Sequence, residues 1–140
     1  MRQEFYNLQI DTDGQKLYEF TDHTTKWIKE NKFKNGIINL SIQHTSASLI
    51  VQENADPDVQ TDLINYFNNL APMNDKLYIH NAEGKDDMPA HIKSALTNNQ
   101  ISLSIKNGEL FLGTWQGIYL FEHRLNTHTR TVIHHFLGEI

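Results

Sequence analysis

The sequence predicts an α+β fold. It is read as a single domain over residues 1–140, a largely antiparallel β-sheet or sandwich with about three helices. Three observations lead there. Strand-like segments come in pairs between helical ones and then in a run after residue 100, unlike the regular βαβ alternation of a doubly wound sheet. Helix-start signals occur at three places: near Thr21, at Asp56-Pro57-Asp58 and before Pro89. A chain of 140 residues suits one domain that buries roughly two-thirds of its unfolded surface and needs no disulfide or metal staple.

The elements follow in order. Phe5 to Ile10 mixes aromatic and β-branched residues with polar ones, and Asp11-Thr12-Asp13-Gly14 reads as a turn. Lys16 to Phe20 is then expected as the returning strand of a hairpin. Thr21 or Asp22 can cap a helix running to about Lys32, after which Gly36 resets the chain. Ile37 to His44 is a strand whose period-2 alternation places Ile38, Leu40, Ile42 and His44 on one side. Ala47 to Glu53 is another, with Leu49, Val51 and Glu53 sharing a face.

Asp56-Pro57-Asp58 combines an Asp cap, a proline at the first helical position and an acid in the first turn. Val59, Leu63, Tyr66, Phe67 and Leu70 follow at helical spacing, and Pro72 closes that helix. Lys76 to His80 is expected as a short strand. Asp87 or Met88, followed by Pro89, opens a third helix with Ile92, Ala95 and Leu96 on its buried face. His91 then falls near its third position, and Asn98-Asn99 ends it. Ile101–Ile105, Glu109–Leu112, Ile118–His123 and Thr131–Leu137 are strand candidates, with turns at Asn107-Gly108 and near Asn126.

Composition narrows the functions. The net charge of -5 argues against nucleic acid as the main partner, because phosphate contacts need a basic face. There are no cysteines. Any metal must therefore be held by His, Asp or Glu, and the chain is compatible with a reducing cytoplasm, the expected location. No apolar run approaches the roughly 20 residues that span a bilayer. Met1 leads into Arg2-Gln3-Glu4 with no apolar segment, so neither signal peptide nor membrane partner is expected.

Two stretches are denser in chemistry than a core requires. One is His44-Thr45-Ser46-Ala47 with Glu53-Asn54 and Asp56-Pro57-Asp58. The other runs from His80 through Glu83, Asp86 and Asp87 to His91. Histidines with carboxylates are what a divalent metal, zinc or magnesium, or a proton-transfer site needs. His44, His80 and His91 are the candidate metal ligands, against the plainer reading of each as a surface or capping histidine. Glu53, Glu83, Asp86 and Asp87 are candidate acids, bases or ligands, although one of Asp86 and Asp87 is expected simply to cap the helix. Thr45 and Ser46 can bind phosphate oxygens. The two glycines of Gly113-Thr114-Trp115-Gln116-Gly117 imply a bend or a close backbone approach, and Trp115 suits a pocket wall, a subunit contact or the core. Arg124 offers a guanidinium to an anion or to a surface ion pair. His134 and His135 are adjacent on a strand and cannot both enter one site.

These residues resemble a known family. His44-Thr45-Ser46-Ala47, Glu53-Asn54, Asp56-Pro57-Asp58-Val59, Asp86-Asp87-Met88-Pro89-Ala90-His91-Ile92-Lys93 and Gly113-Thr114-Trp115-Gln116-Gly117 are similar to motifs of the YjbQ-like family of small proteins. The similarity runs over nearly the whole chain. It implies an α+β fold assembled as a homotrimer, with a site near the subunit contacts. Members are often called secondary thiamine-phosphate synthases, for a weak ability to join a pyrimidine diphosphate to a thiazole phosphate. The resemblance implies metal or catalytic roles for His44, His80 and His91, surrounded by Thr45, Ser46, Glu53, Glu83 and Asp87. Trp115, Gln116 and Arg124 would complete a pocket for a small phosphorylated metabolite. Lys85 and Glu109 depart from the pattern expected of relatives. Dedicated synthases are TIM barrels of about 250 residues, so a shared activity would stand on another scaffold. Two other readings stay open: a metal-dependent hydrolase or phosphatase, and a non-catalytic trimeric protein that binds an anionic metabolite.

Overall fold

In a computed structural model describing residues 1–140, eight strands form two antiparallel sheets that pack face to face, with three helices. The larger sheet contains β1 (Arg2–Thr12), β8 (His128–Glu139), β3 (Asn35–Ile42), β5 (Gln100–Lys106) and β6 (Glu109–Leu110), in that spatial order. The smaller contains β2 (Lys16–Glu19), β7 (Gln116–Glu122) and β4 (Ala47–Glu53). Alternation builds the core between them. Leu8, Ile38, Leu40, Val132 and Phe136 face inward from the first sheet, and Ala47, Leu49, Ile118 and Leu120 meet them from the second. The helices are α1 (Thr21–Glu30), α2 (Pro57–Leu70) and α3 (Asp87–Leu96). Helix α2 lays Leu63, Ile64 and Phe67 on the outer face of the smaller sheet, against Leu17, Tyr119 and Phe121. No helix is long and apolar enough to cross a membrane.

The α+β class and all three helices agree with the sequence reading; four local expectations do not. The Phe5–Ile10 and Lys16–Phe20 segments do not form a hairpin: β1 pairs with β8 and β2 with β7. Gly14, at φ +129°, turns the chain from one sheet to the other. Thr21 caps nothing. Its hydroxyl donates to Glu19 Oε2 and accepts from Ile118 N–H, so it ties α1 to the sheet. Lys76–His80 is no strand. Asp75–Leu77 is a 3-10 turn in which the Asn74 side chain accepts from Lys76 N–H, and Ile79 lies wholly exposed, away from any sheet edge. The buried face of α3 carries Asp87, Pro89, Ala90 and Lys93, while Leu96 is exposed. Helical periodicity identified an amphipathic segment there, but tertiary contacts turned its polar residues inward.

In the Gly113–Gly117 segment the glycines meet side chains rather than backbone. A side chain at Gly117 would come within 2.5 Å of Glu19 Oε2. His134 and His135 face opposite sides as alternation requires. His134 is buried against Thr24 Oγ1 at 2.8 Å, and His135 stacks on exposed Phe5.

Candidate metal centre at the start of helix α3

Helix α3 begins at Asp87, so His91 lies one turn further in, four residues on, rather than near the third position. That spacing puts both side chains on one helical face. The loop before the helix returns His80 to the same point. His80 Nε2 donates to Asp87 Oδ2 at 2.7 Å, and His91 Nε2 lies 3.3 Å from that oxygen. One ligand atom from each of His80, Asp87 and His91 falls within 4.8 Å of the others. Asp87 is 2% exposed, whereas the His80 side chain is half exposed. The cluster is therefore anchored in the protein and open on one side.

Asp87 and His91 are each held from behind. Arg124 donates from Nη1 to Asp87 Oδ1 at 2.8 Å, from Nε to Asp86 Oδ2 at 2.9 Å and from Nη2 to the Glu83 carbonyl at 3.0 Å. Burial alone would raise the Asp87 carboxyl. The hydrogen bond from His80 and then the Arg124 charge outweigh it and hold the group below its usual range. Asp86 occupies the cap position but makes no cap bond; it accepts from Arg124 and from Leu125 N–H instead. Burial pushes Asp86 up too, and those bonds prevail to lower it. The anion-binding guanidinium expected at Arg124 is thus committed to the protein's own carboxylates.

His91 donates from Nδ1 to the Thr45 carbonyl at 2.9 Å. That bond fixes the tautomer and turns Nε2 toward Asp87. A bare Nε2 lone pair facing a carboxylate oxygen at 3.3 Å is repulsive. A cation between them, a proton or a metal ion, makes the contact attractive. The donor set, two imidazoles and one carboxylate, fits zinc better than magnesium, which prefers oxygen ligands.

The remaining site residues fall into two groups. Glu83 is at the rim, its carboxylate 3.4 Å from His80 Nε2 and largely exposed. Thr45, His44 and His91 line a neighbouring cavity of about 370 Å³ with Ser94, Thr97 and Asn99. His44 does not join the ligand cluster. Its Nε2 accepts from Thr131 N–H at 3.0 Å, and burial, then the nearby Arg130 charge, lower its pKa and keep the ring neutral. Ser46 is bound by Arg130. Glu53, Trp115 and Gln116 are elsewhere in the chain's fold. In the β4–β7 pair, Ala47 lies opposite Glu122 and Glu53 opposite Gln116. That separates the two ends by about 20 Å at roughly 3.3 Å per residue. Gln116 Oε1 accepts from Gly113 N–H, and Trp115 is 63% exposed.

Sequence reasoning missed the polar interior behind the centre. Glu122 and Arg130 form a buried ion pair at 2.6 Å. Lys93, also buried, donates to Asn68 Oδ1 at 2.6 Å, and burial brings its pKa down to about 8. His123 shares a hydrogen bond with Ser48 Oγ, leaves Nδ1 without a partner and is pushed by burial, then by Lys93, to about 3. The i,i+4 spacing of Asp87 and His91 was a visible signal for the centre. Lys93 and Arg130 gave none, because such residues are ordinarily exposed.

The family described as "UPF0047 protein YjbQ-like" matches residues 6–139. A UPF0047 protein of Synechocystis is 48% identical over 139 residues, covering 99% of this chain and 95% of that one. UPF0047 protein YjbQ of Escherichia coli O157:H7 is 44% identical over 104 residues, 74% of this chain and 75% of that one. Among solved structures, an uncharacterised YjbQ/UPF0047 protein of Clostridium acetobutylicum is 31% identical. It superposes with a TM-score of 0.82 over 96% of this chain and 99% of that one. A YjbQ-like protein of unknown function from Sulfolobus solfataricus shares the fold at 20% identity, with a TM-score of 0.85 over 99% of this chain and 100% of that one.

Proposed function

The chain belongs to the YjbQ-like UPF0047 family, and we propose that it is a divalent-metal enzyme acting on a small phosphorylated metabolite. The observation that carries this reading is the convergence of His80, Asp87 and His91 within 4.8 Å on a buried, ionised carboxylate. These three residues would hold the ion, zinc by their donor chemistry. Bound there, it supplies positive charge against phosphate oxygens. The chain's own groups do the rest. His80 and Arg124 keep Asp87 ionised, and Arg124 aims it. The Thr45 carbonyl sets the His91 ring. Glu83, at the exposed rim, is placed to exchange a proton with a reactant entering from solvent.

The reaction we assign is of the secondary thiamine-phosphate synthase type. A pyrimidine diphosphate ionises, its pyrophosphate departs, and a thiazole nitrogen captures the carbocation. Thr45, which lines the cavity with His91, would hold a phosphate oxygen through its hydroxyl. A second reading, hydrolysis of a phosphate ester, is favoured by Glu83, because a carboxylate at the open rim can take a proton from water. Incubating purified protein and Zn²⁺ or Mn²⁺ with the two synthase precursors, and separately with a phosphate-ester panel, distinguishes the readings. Product in the first, lost in His80→Ala, is the expected result. Turnover of esters alone would replace it with the hydrolase, and no turnover in either would remove both.

The active form we propose is a homotrimer. On the outer face of the larger sheet exposed Ile37 and Leu137 lie side by side, with Phe5 next to them opposite His135, a patch suited to burial against other copies. Sedimentation equilibrium should give three times the 16.3 kDa chain mass, and Phe5→Glu/Leu137→Glu should reduce it to a monomer. A wild-type monomer at micromolar concentration would rule the trimer out.

A further inference from the structure

We propose that the buried Glu122–Arg130 ion pair is the positioning element of the centre, setting His91 from one side and Asp87 from the other. The inference rests on the metal-centre reading only where zinc is used as a probe.

Glu122 is fully buried at the end of β7, and five donors saturate it. Oε1 accepts from Thr12 Oγ1 at 2.6 Å and from Arg130 Nε at 2.7 Å. Oε2 accepts from Arg130 Nη2 at 2.6 Å, His123 N–H at 3.0 Å and Arg124 N–H at 3.2 Å. No lone pair is left for a ligand, so the carboxylate acts through its partners. Burial would raise it, but the Arg130 and Thr12 hydrogen bonds keep it below its usual range and ionised.

Two arms leave this point. Through Arg124, whose backbone Glu122 holds, the guanidinium reaches Asp87 and Asp86. Through Arg130, the second arm reaches the His44–Ser46 turn. Nη2 donates to Ser46 Oγ at 3.0 Å and to the Ser46 carbonyl at 3.3 Å, and Nη1 stands 3.5 Å from His44 Nδ1. Thr45 lies between the two residues so held, and its carbonyl accepts from His91 Nδ1. The planar, forked guanidinium grips both Glu122 oxygens from two nitrogens while reaching Ser46, a spread that an ammonium, with its donors on one nitrogen, does not match. A displaced turn would carry the Thr45 carbonyl away and release the His91 tautomer.

The test reads the His91 ring directly. In ¹⁵N-labelled protein at alkaline pH, where imidazoles are neutral, wild type should show His91 protonated at Nδ1. Arg130→Lys should show a mixture of tautomers and bind zinc about 10–100-fold more weakly, the range for lost outer-shell partners. Glu122→Gln/Arg130→Met, which removes both buried charges together, should do the same and guards against a variant that fails to fold. Ile38→Val, a core change in β3 that lowers thermal stability without touching either arm, should leave both readouts unchanged. An unaltered His91 tautomer in the folded Arg130 variants would overturn the proposal. Absence of zinc binding in wild type would instead strike the metal reading and leave the tautomer comparison to decide this one.

Discussion

Asp87 keeps its charge while almost wholly buried because His80, His91 and Arg124 all face it. Replacing it by Asn keeps the shape but removes what the guanidinium and both imidazoles need. Asp87→Asn is expected to abolish zinc binding and to cost roughly 1.5–3 kcal/mol, the usual worth of hydrogen bonds to a charged group; urea denaturation measures it. The interior histidines act at the same scale. His123 and His134 have folded-state pKa values near 3 and 4, against an ordinary value of 6.5. Both are neutral in the folded protein above those values, whereas the unfolded chain protonates them below 6.5. Stability is thus unaffected by these two groups at neutral and alkaline pH and falls as pH drops through 6.5 toward 4. By about pH 5 each should cost roughly 2 kcal/mol. The urea midpoint should fall accordingly from pH 7 to pH 5, and less steeply in His134→Gln. An equal fall in wild type and variant would show that other groups govern the acid limb.

At the scale of elements, the chain declares its helix starts well and its strand partners poorly. Asp56-Pro57-Asp58 places a cap whose carboxylate accepts from Asp58 N–H at 2.9 Å. Asp56→Ala should therefore cost about 1 kcal/mol, visible as a lower thermal midpoint. Helix geometry alone brings Asp87 and His91 together, because they stand four residues apart, although the sequence reading did not draw that pair. Strand pairing was not. Adjacent strand-like segments around Asp11–Gly14 suggested a hairpin, but β1 spans eleven residues and finds a partner of matching length in β8, far away in sequence. Local alternation fixes which residues face inward, not which strand lies alongside. Lys93 shows the same limit, because its burial beside Asn68 depends on α2 and α3 meeting over the smaller sheet.

For the molecule as a whole, two sheets enclose an apolar core while a polar network runs behind the end where the smaller sheet meets α3. The α+β class followed from the order of the elements. The grouping of the site residues did not, because it depends on register. One end of the β4–β7 pair meets His80, Asp87 and His91 through the Thr45–Ser46 turn and Arg124, and the other end carries Glu53, Trp115 and Gln116 about 20 Å off. Sequence proximity and chemical likeness could collect the candidates but not divide them. The central claim is that His80, Asp87 and His91 hold a divalent ion. Zinc titration of metal-stripped protein, with elemental analysis of the native form, tests it most directly. About one zinc per chain in wild type, lost in His80→Ala and Asp87→Asn but kept in Glu53→Ala, is the predicted result. No zinc in wild type, or zinc retained after both substitutions, would contradict it.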